Sequence, residues 1–67
     1  MNAEETQVGM ALIWTYGLTR AEAVAYVLCS VRGMSKTKAA ELLSKSRSVV
    51  SRQVKAAEAK INGKAQE

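Results

Sequence analysis

The chain has 67 residues with 10 Lys and Arg against 6 Asp and Glu, a formal net charge of +4, one cysteine, and no histidine or proline. A single cysteine rules out an intramolecular disulfide, and without histidine it cannot complete a closed zinc site, so the two covalent or metal supports typical of very small domains are missing. The most apolar stretches, Met10–Tyr16 and Ala21–Val31, are too short or too polar to span a bilayer, and no basic leader precedes them, which predicts a cytoplasmic protein with no membrane partner.

The absence of proline and phenylalanine, with abundant alanine, favours helix throughout. The predicted fold class is all-α: a four-helix helix-turn-helix domain, the first helix being an N-terminal addition. That helix is expected over about residues 3–16, with Asn2 as its cap, Glu4 and Glu5 offsetting the dipole, and Gly17 closing it. The second, over about residues 20–32, opens on the capping box Thr19-Arg20-Ala21-Glu22 and closes at Gly33. Its apolar stripe is Val24, Val27, Leu28 and Val31. The third is expected over about residues 36–44, after Ser35, burying Ala39, Ala40 and Leu43. The fourth, over about residues 47–62, takes Ser46 as cap, stops at Asn62-Gly63, and buries Val50, Val54, Ala57 and Ile61. Lys64 to Glu67 carry no pattern and are expected to fray.

Charge is unevenly distributed along the chain. Up to Val31 the only basic residue is Arg20, against Glu4, Glu5 and Glu22. From Arg32 to Lys64 there are nine basic residues, including Lys36, Lys38, Lys45, Arg47, Arg52 and Lys55, against Glu41 and Glu58. Such asymmetry suits a polyanionic partner.

The third and fourth helices have the spacing of a helix-turn-helix. A small residue, Ala40, sits where the helices cross, Ser44-Lys45-Ser46 supplies the turn, and Val50 anchors the second helix. Ser48, Ser51, Arg52 and Lys55 recur on the opposite face of the fourth helix, with Arg47 at its N-terminal end. That end of a recognition helix enters the major groove, where an arginine can donate two hydrogen bonds to guanine. These five residues are the candidate base and groove contacts. Ser35, Lys36, Thr37, Lys38 and Lys45, at the ends of the third helix, are the candidate phosphate contacts.

Leu18-Thr19, Glu22, Val24, then Gly33-Met34-Ser35, Ala39-Ala40-Glu41, Leu43, Ser46 and Val49-Val50 together resemble the LuxR/GerE-type helix-turn-helix, akin to sigma-factor region 4. The run from Val50-Ser51-Arg52 to Ile61 is similar to small phage and archaeal regulators of that superfamily. The resemblance implies a sequence-specific duplex-DNA-binding transcriptional regulator, nucleoid-associated, with contacts from Arg47, Ser48, Ser51 and Arg52. Against that pattern, one extra residue lies between Glu22 and Gly33. Ala39 replaces an isoleucine, Gln53 replaces a histidine, and the turn has Ser44 and Lys45 in place of glycine and an apolar residue. The family's terminal dimerisation helix is absent.

The first helix carries more apolar side chains than one face can hold. Val8 and Leu12 are expected in the core, while Met10, Ile13 and Trp14 are candidates for a partner or dimer surface, Trp14 alternatively capping the core. Gly9 suggests close approach of another backbone, and Tyr26 and Cys29 lie to one side of the second helix's stripe, where packing rather than chemistry is expected. A homodimer on paired half-sites is the expected DNA-binding form. The competing reading is a protein-interaction module that docks on another regulator or on RNA polymerase. Nothing suggests an enzyme or a cofactor: there is no histidine, no glycine-rich phosphate loop and no base beside Cys29.

Overall fold

Two capping boxes set the beginning of the molecule. In the computed structural model, which describes residues 2–65, Asn2 Oδ1 accepts from the Glu5 N–H at 2.9 Å, and the Glu5 carboxylate accepts from the Asn2 N–H at 3.1 Å. They open α1, Ala3–Tyr16, which Gly17 ends in the left-handed conformation at φ 70°. Thr19 and Glu22 repeat the reciprocal bonding at 3.2 and 2.9 Å and open α2, Arg20–Tyr26. Helix α3 is Lys36–Leu43, with the Ser35 hydroxyl accepting from the Lys38 N–H, and α4 is Arg47–Ala65. All the described helices follow the expected order, and no strand occurs among the described residues.

Helix α2 does not end at Tyr26. It continues as a π-helical turn, Val27–Val31, in which the Arg32 N–H reaches five residues back to the Val27 carbonyl at 2.9 Å. Gly33, at φ 77°, then turns the chain toward α3. The expected stripe of α2 is corrected here. Val27 and Leu28 are buried and Val24 is half-buried, but Val31 is 52% exposed. A regular helix would have carried Val31 onto the core face; the widened turn rotates it out.

Two buried clusters hold the helices together. Ala25, Leu28, Ala39, Ala40, Val50 and Val54 join α2, α3 and α4. Leu18, Ala23 and Ala57 form the second, with Leu12, Ile13, Tyr16, Tyr26 and Ile61 packed around it, and these tie α1 to α2 and α4. Five of these nine buried residues are alanine, which lets the helix axes approach closely at the crossings. Ala40 and Val50 occupy their expected places, and the α4 stripe Val50, Val54, Ala57 is fully buried with Ile61 half-buried at its end.

Four further expectations are corrected. Val8 is exposed, because α1 turns Gly9, Leu12, Ile13 and Tyr16 inward instead. Trp14 does not cap the core; it is 84% exposed. Gly9 is buried against the Val27 side chain of the same chain, so the close approach is internal and involves a side chain rather than a backbone. Asn62-Gly63 does not stop α4, which runs on through Ala65; of the terminal residues expected to fray, Gln66 and Glu67 lie outside the described residues.

Candidate nucleic-acid interface

The turn between α3 and α4 determines which side chains α4 presents. Ser44 takes the left-handed position at φ 55°, its N–H bonding the Glu41 carbonyl at 3.3 Å while the Lys45 N–H bonds the Ala40 carbonyl at 2.9 Å. This is the pair of bonds with which a glycine ordinarily closes a helix, here made around a serine. The Ser46 hydroxyl then accepts from the Val49 N–H at 3.2 Å and opens α4. With Val50, Val54 and Ala57 fixed inward, the opposite face of α4 is set by helical periodicity.

That face carries Ser48, Arg52 and Lys55, all exposed and spaced four and three residues apart. Arg47 and the half-buried Ser51 lie on its flank toward α3. There they line, with Lys36 and Ser48, an open depression of about 450 Å³ between the first turns of α3 and α4. The fold therefore brings one candidate phosphate contact, Lys36, together with three of the five candidate groove contacts. Both helix N-termini flank this depression, and N–H groups there favour an anion.

The remaining candidates are dispersed. Ser35 is at the start of α3 with its oxygen engaged as a cap, leaving its hydroxyl proton to donate. Thr37 is exposed beside it. Lys38 faces another side of α3, near Met34, Glu41 and Leu42. Lys45 lies on the far side of the turn, with Arg20, Val24, Leu43 and Gln53. Arg52 borders a shallow depression with Glu22, Val49, Gln53 and Ala56. An acidic residue of α2 thus stands beside the exposed face of α4, a neighbour that the α4 sequence alone did not reveal.

The cations divide into two classes. Arg32 donates through Nε to Glu5 at 2.8 Å, and Lys60 donates to Glu22 at 2.7 Å and to the Gly17 carbonyl at 3.4 Å. These are the ion pairs among the described residues. Hydrogen bonding from Arg32 and the Asn2 N–H holds the Glu5 carboxyl below its ordinary range, and Lys60 with the Thr19 N–H does the same for Glu22. By contrast Lys36, Arg47, Arg52 and Lys55 have no described carboxylate within 4.0 Å. The basic residues pulled into the fold are those away from the first turns of α3 and α4.

On α1, Met10 is 54% exposed and Trp14 more so, whereas Ile13 is half-buried. Cys29 is half-buried among the core side chains, and burial pushes its thiol pKa up, which lowers its thiolate fraction and its reactivity. No group of three or more ligating residues that could hold a metal occurs among the described residues, and no described helix is long and apolar enough to cross a membrane. No family model, curated protein or solved structure matches the chain.

Proposed function

We propose that the chain binds duplex DNA sequence-specifically and regulates transcription, with the N-terminal half of α4 in the major groove. Arg47 and Arg52 read guanine edges, Ser48 and Ser51 let the helix sit deep and bond to base edges or phosphate, and Lys55 follows the groove toward the backbone. Lys36, with Ser35, Thr37 and the first turn of α3, holds a phosphate; Lys38 and Lys45 flank the duplex more distantly. The observation that carries this reading is the depression between the first turns of α3 and α4, which gathers Lys36, Arg47, Ser48 and Ser51 on one open surface. The cations at the first turns of α3 and α4 have no carboxylate partner, while Arg32 and Lys60 are consumed in holding α1 and α2.

Selection from a random duplex pool tests it, with the wild type and two variants. Arg52→Ala is expected to relax preference at one or two positions of the selected site, at a cost of about 1–3 kcal/mol against the preferred base. Lys36→Ala is expected to weaken all sequences alike. A wild type that enriches no sequence, or an Arg52→Ala variant with unchanged preference, refutes the assignment of α4 as the reading helix.

A further inference from the structure

We propose that the apolar groove running from α1 across α2 to the end of α3 docks an acidic amphipathic segment of another protein. The groove consists of two adjoining depressions of about 360 and 350 Å³ that share Arg20 and Val24. Met10, Ile13 and Ala23 wall one; Ala21 and Leu43 wall the other. Trp14, one turn beyond Met10 and 84% exposed, extends the α1 wall outward. The lining is apolar, and its charged members are two cations, Arg20 and Lys45. Neither has a described carboxylate within 4.0 Å, and no carboxylate lines either depression.

This combination selects the occupant. Nucleic acid would satisfy the two cations but would leave Met10, Ile13, Val24 and Leu43 without apolar partners. A neutral apolar helix would fill the groove but leave the two exposed cations at its edge without an anionic partner. A segment with apolar side chains on one face and carboxylates beside them satisfies both, in the way amphipathic helices seat in grooves. The proposal shares only Lys45 with the DNA reading, since Arg20, Met10 and Ile13 lie outside the candidate reading face.

Titration with a designed helical peptide, with leucines at i, i+4 flanked by glutamates, tests it. The chain's one tryptophan, Trp14, reports binding by its fluorescence. The acidic peptide is expected to bind saturably, and the same peptide with lysine for glutamate is not. Arg20→Glu, at an exposed position, should weaken binding at least fivefold. Met10→Lys should weaken it too, although it adds a positive charge, because it removes an apolar wall; circular dichroism verifies that both variants keep their helix content. Equal binding of the two peptides, indifference to Arg20→Glu, or tighter binding by Met10→Lys overturns the proposal. So does one-for-one displacement of the peptide by duplex DNA from a Lys45→Ala variant, which would assign Arg20 to a nucleic-acid face. A wild-type dimer in sedimentation that Met10→Lys dissociates would overturn it as well, by giving the groove to a second copy.

Discussion

Salt dependence discriminates between a DNA-binding face and a merely basic surface, and the proposed interface specifies which lysines and arginines should control it. Four unpaired cations, Lys36, Arg47, Arg52 and Lys55, border the first turns of α3 and α4 or continue along α4. If all four displace counterions, the logarithm of the binding constant falls against the logarithm of salt with a slope of about −3.6, so a roughly fourfold rise in salt costs about 150-fold in affinity. Each single alanine substitution in this set should make the slope shallower by about 0.9. Arg32→Ala should leave the slope unchanged, because Arg32 is already bound to Glu5 and contributes no counterion to release. Fluorescence anisotropy of a labelled duplex across a salt series, with the wild type and the five variants, measures every slope. Two results would refute the reasoning: a wild-type slope near zero, or an Arg32→Ala slope shifted as far as that of Arg52→Ala. Lys60 is deliberately excluded as the control. Its removal releases Glu22, which borders the depression containing Arg52 and would then compete with phosphate for it.

Two glycines of α1 should respond oppositely to alanine. A Cβ on Gly9 meets Val27 Cγ2 at 3.8 Å, ordinary contact, so Gly9→Ala should gain about 1 kcal/mol of helix propensity and raise the thermal midpoint by roughly 4–8 °C. Gly17→Ala should lose about 1–2 kcal/mol, because Gly17 holds φ 70°; thermal unfolding by circular dichroism reads both, and a destabilised Gly9→Ala would mean that α1 packs against Val27 more tightly than 3.8 Å. The third expectation concerns pH. The Glu22 carboxyl is held below its ordinary value of 4.5, chiefly by Lys60, so its contribution to stability is present above that value and is lost as pH falls through the depressed one. Glu22→Gln keeps the capping bond to Thr19 but loses the Lys60 pair. The stability gap between wild type and variant, followed by urea unfolding, should be constant near neutrality and close in acid; a gap that persists in acid would show that the pair's charge is not its source.

How much was legible in the sequence follows from how local each signal is. A capping box lies within four consecutive residues, and the one at Thr19/Glu22 is where the sequence puts it, while Asn2 is the expected cap and adds a reciprocal bond with Glu5, a residue expected only to offset the helix dipole. The inward stripe of α4 needs only its own period, and it predicted the buried Val50, Val54 and Ala57 correctly. The depression joining Lys36 to Arg47 and Ser51 depends on two helices meeting, and the sequence alone leaves Lys36 in a separate set from the other two. What failed depended on distant contacts. The apolar residues of α1 outnumber the positions its partners offer, and only packing decides that Leu12 and Ile13 face inward while Val8 and Trp14 do not. The acidic neighbour of Arg52 is thirty residues away in sequence, so no pattern within α4 could report Glu22.

The π-helical turn connects one of these failures to the division of charge. The widened turn Val27–Val31 holds more residues per turn than the α-helix before it. Each residue advances a helix by about 100°, so absorbing one extra residue in a wider turn re-aims everything after it. Val31 is carried out of the core as a consequence, and its exposure is the visible cost. Arg32, the next residue, is brought to Glu5 at the start of α1 and held there by paired hydrogen bonds. The same local irregularity therefore fastens α1 to the end of the α2 segment and removes one cation from the open basic surface. Positive charge is left unpaired where α3 and α4 begin.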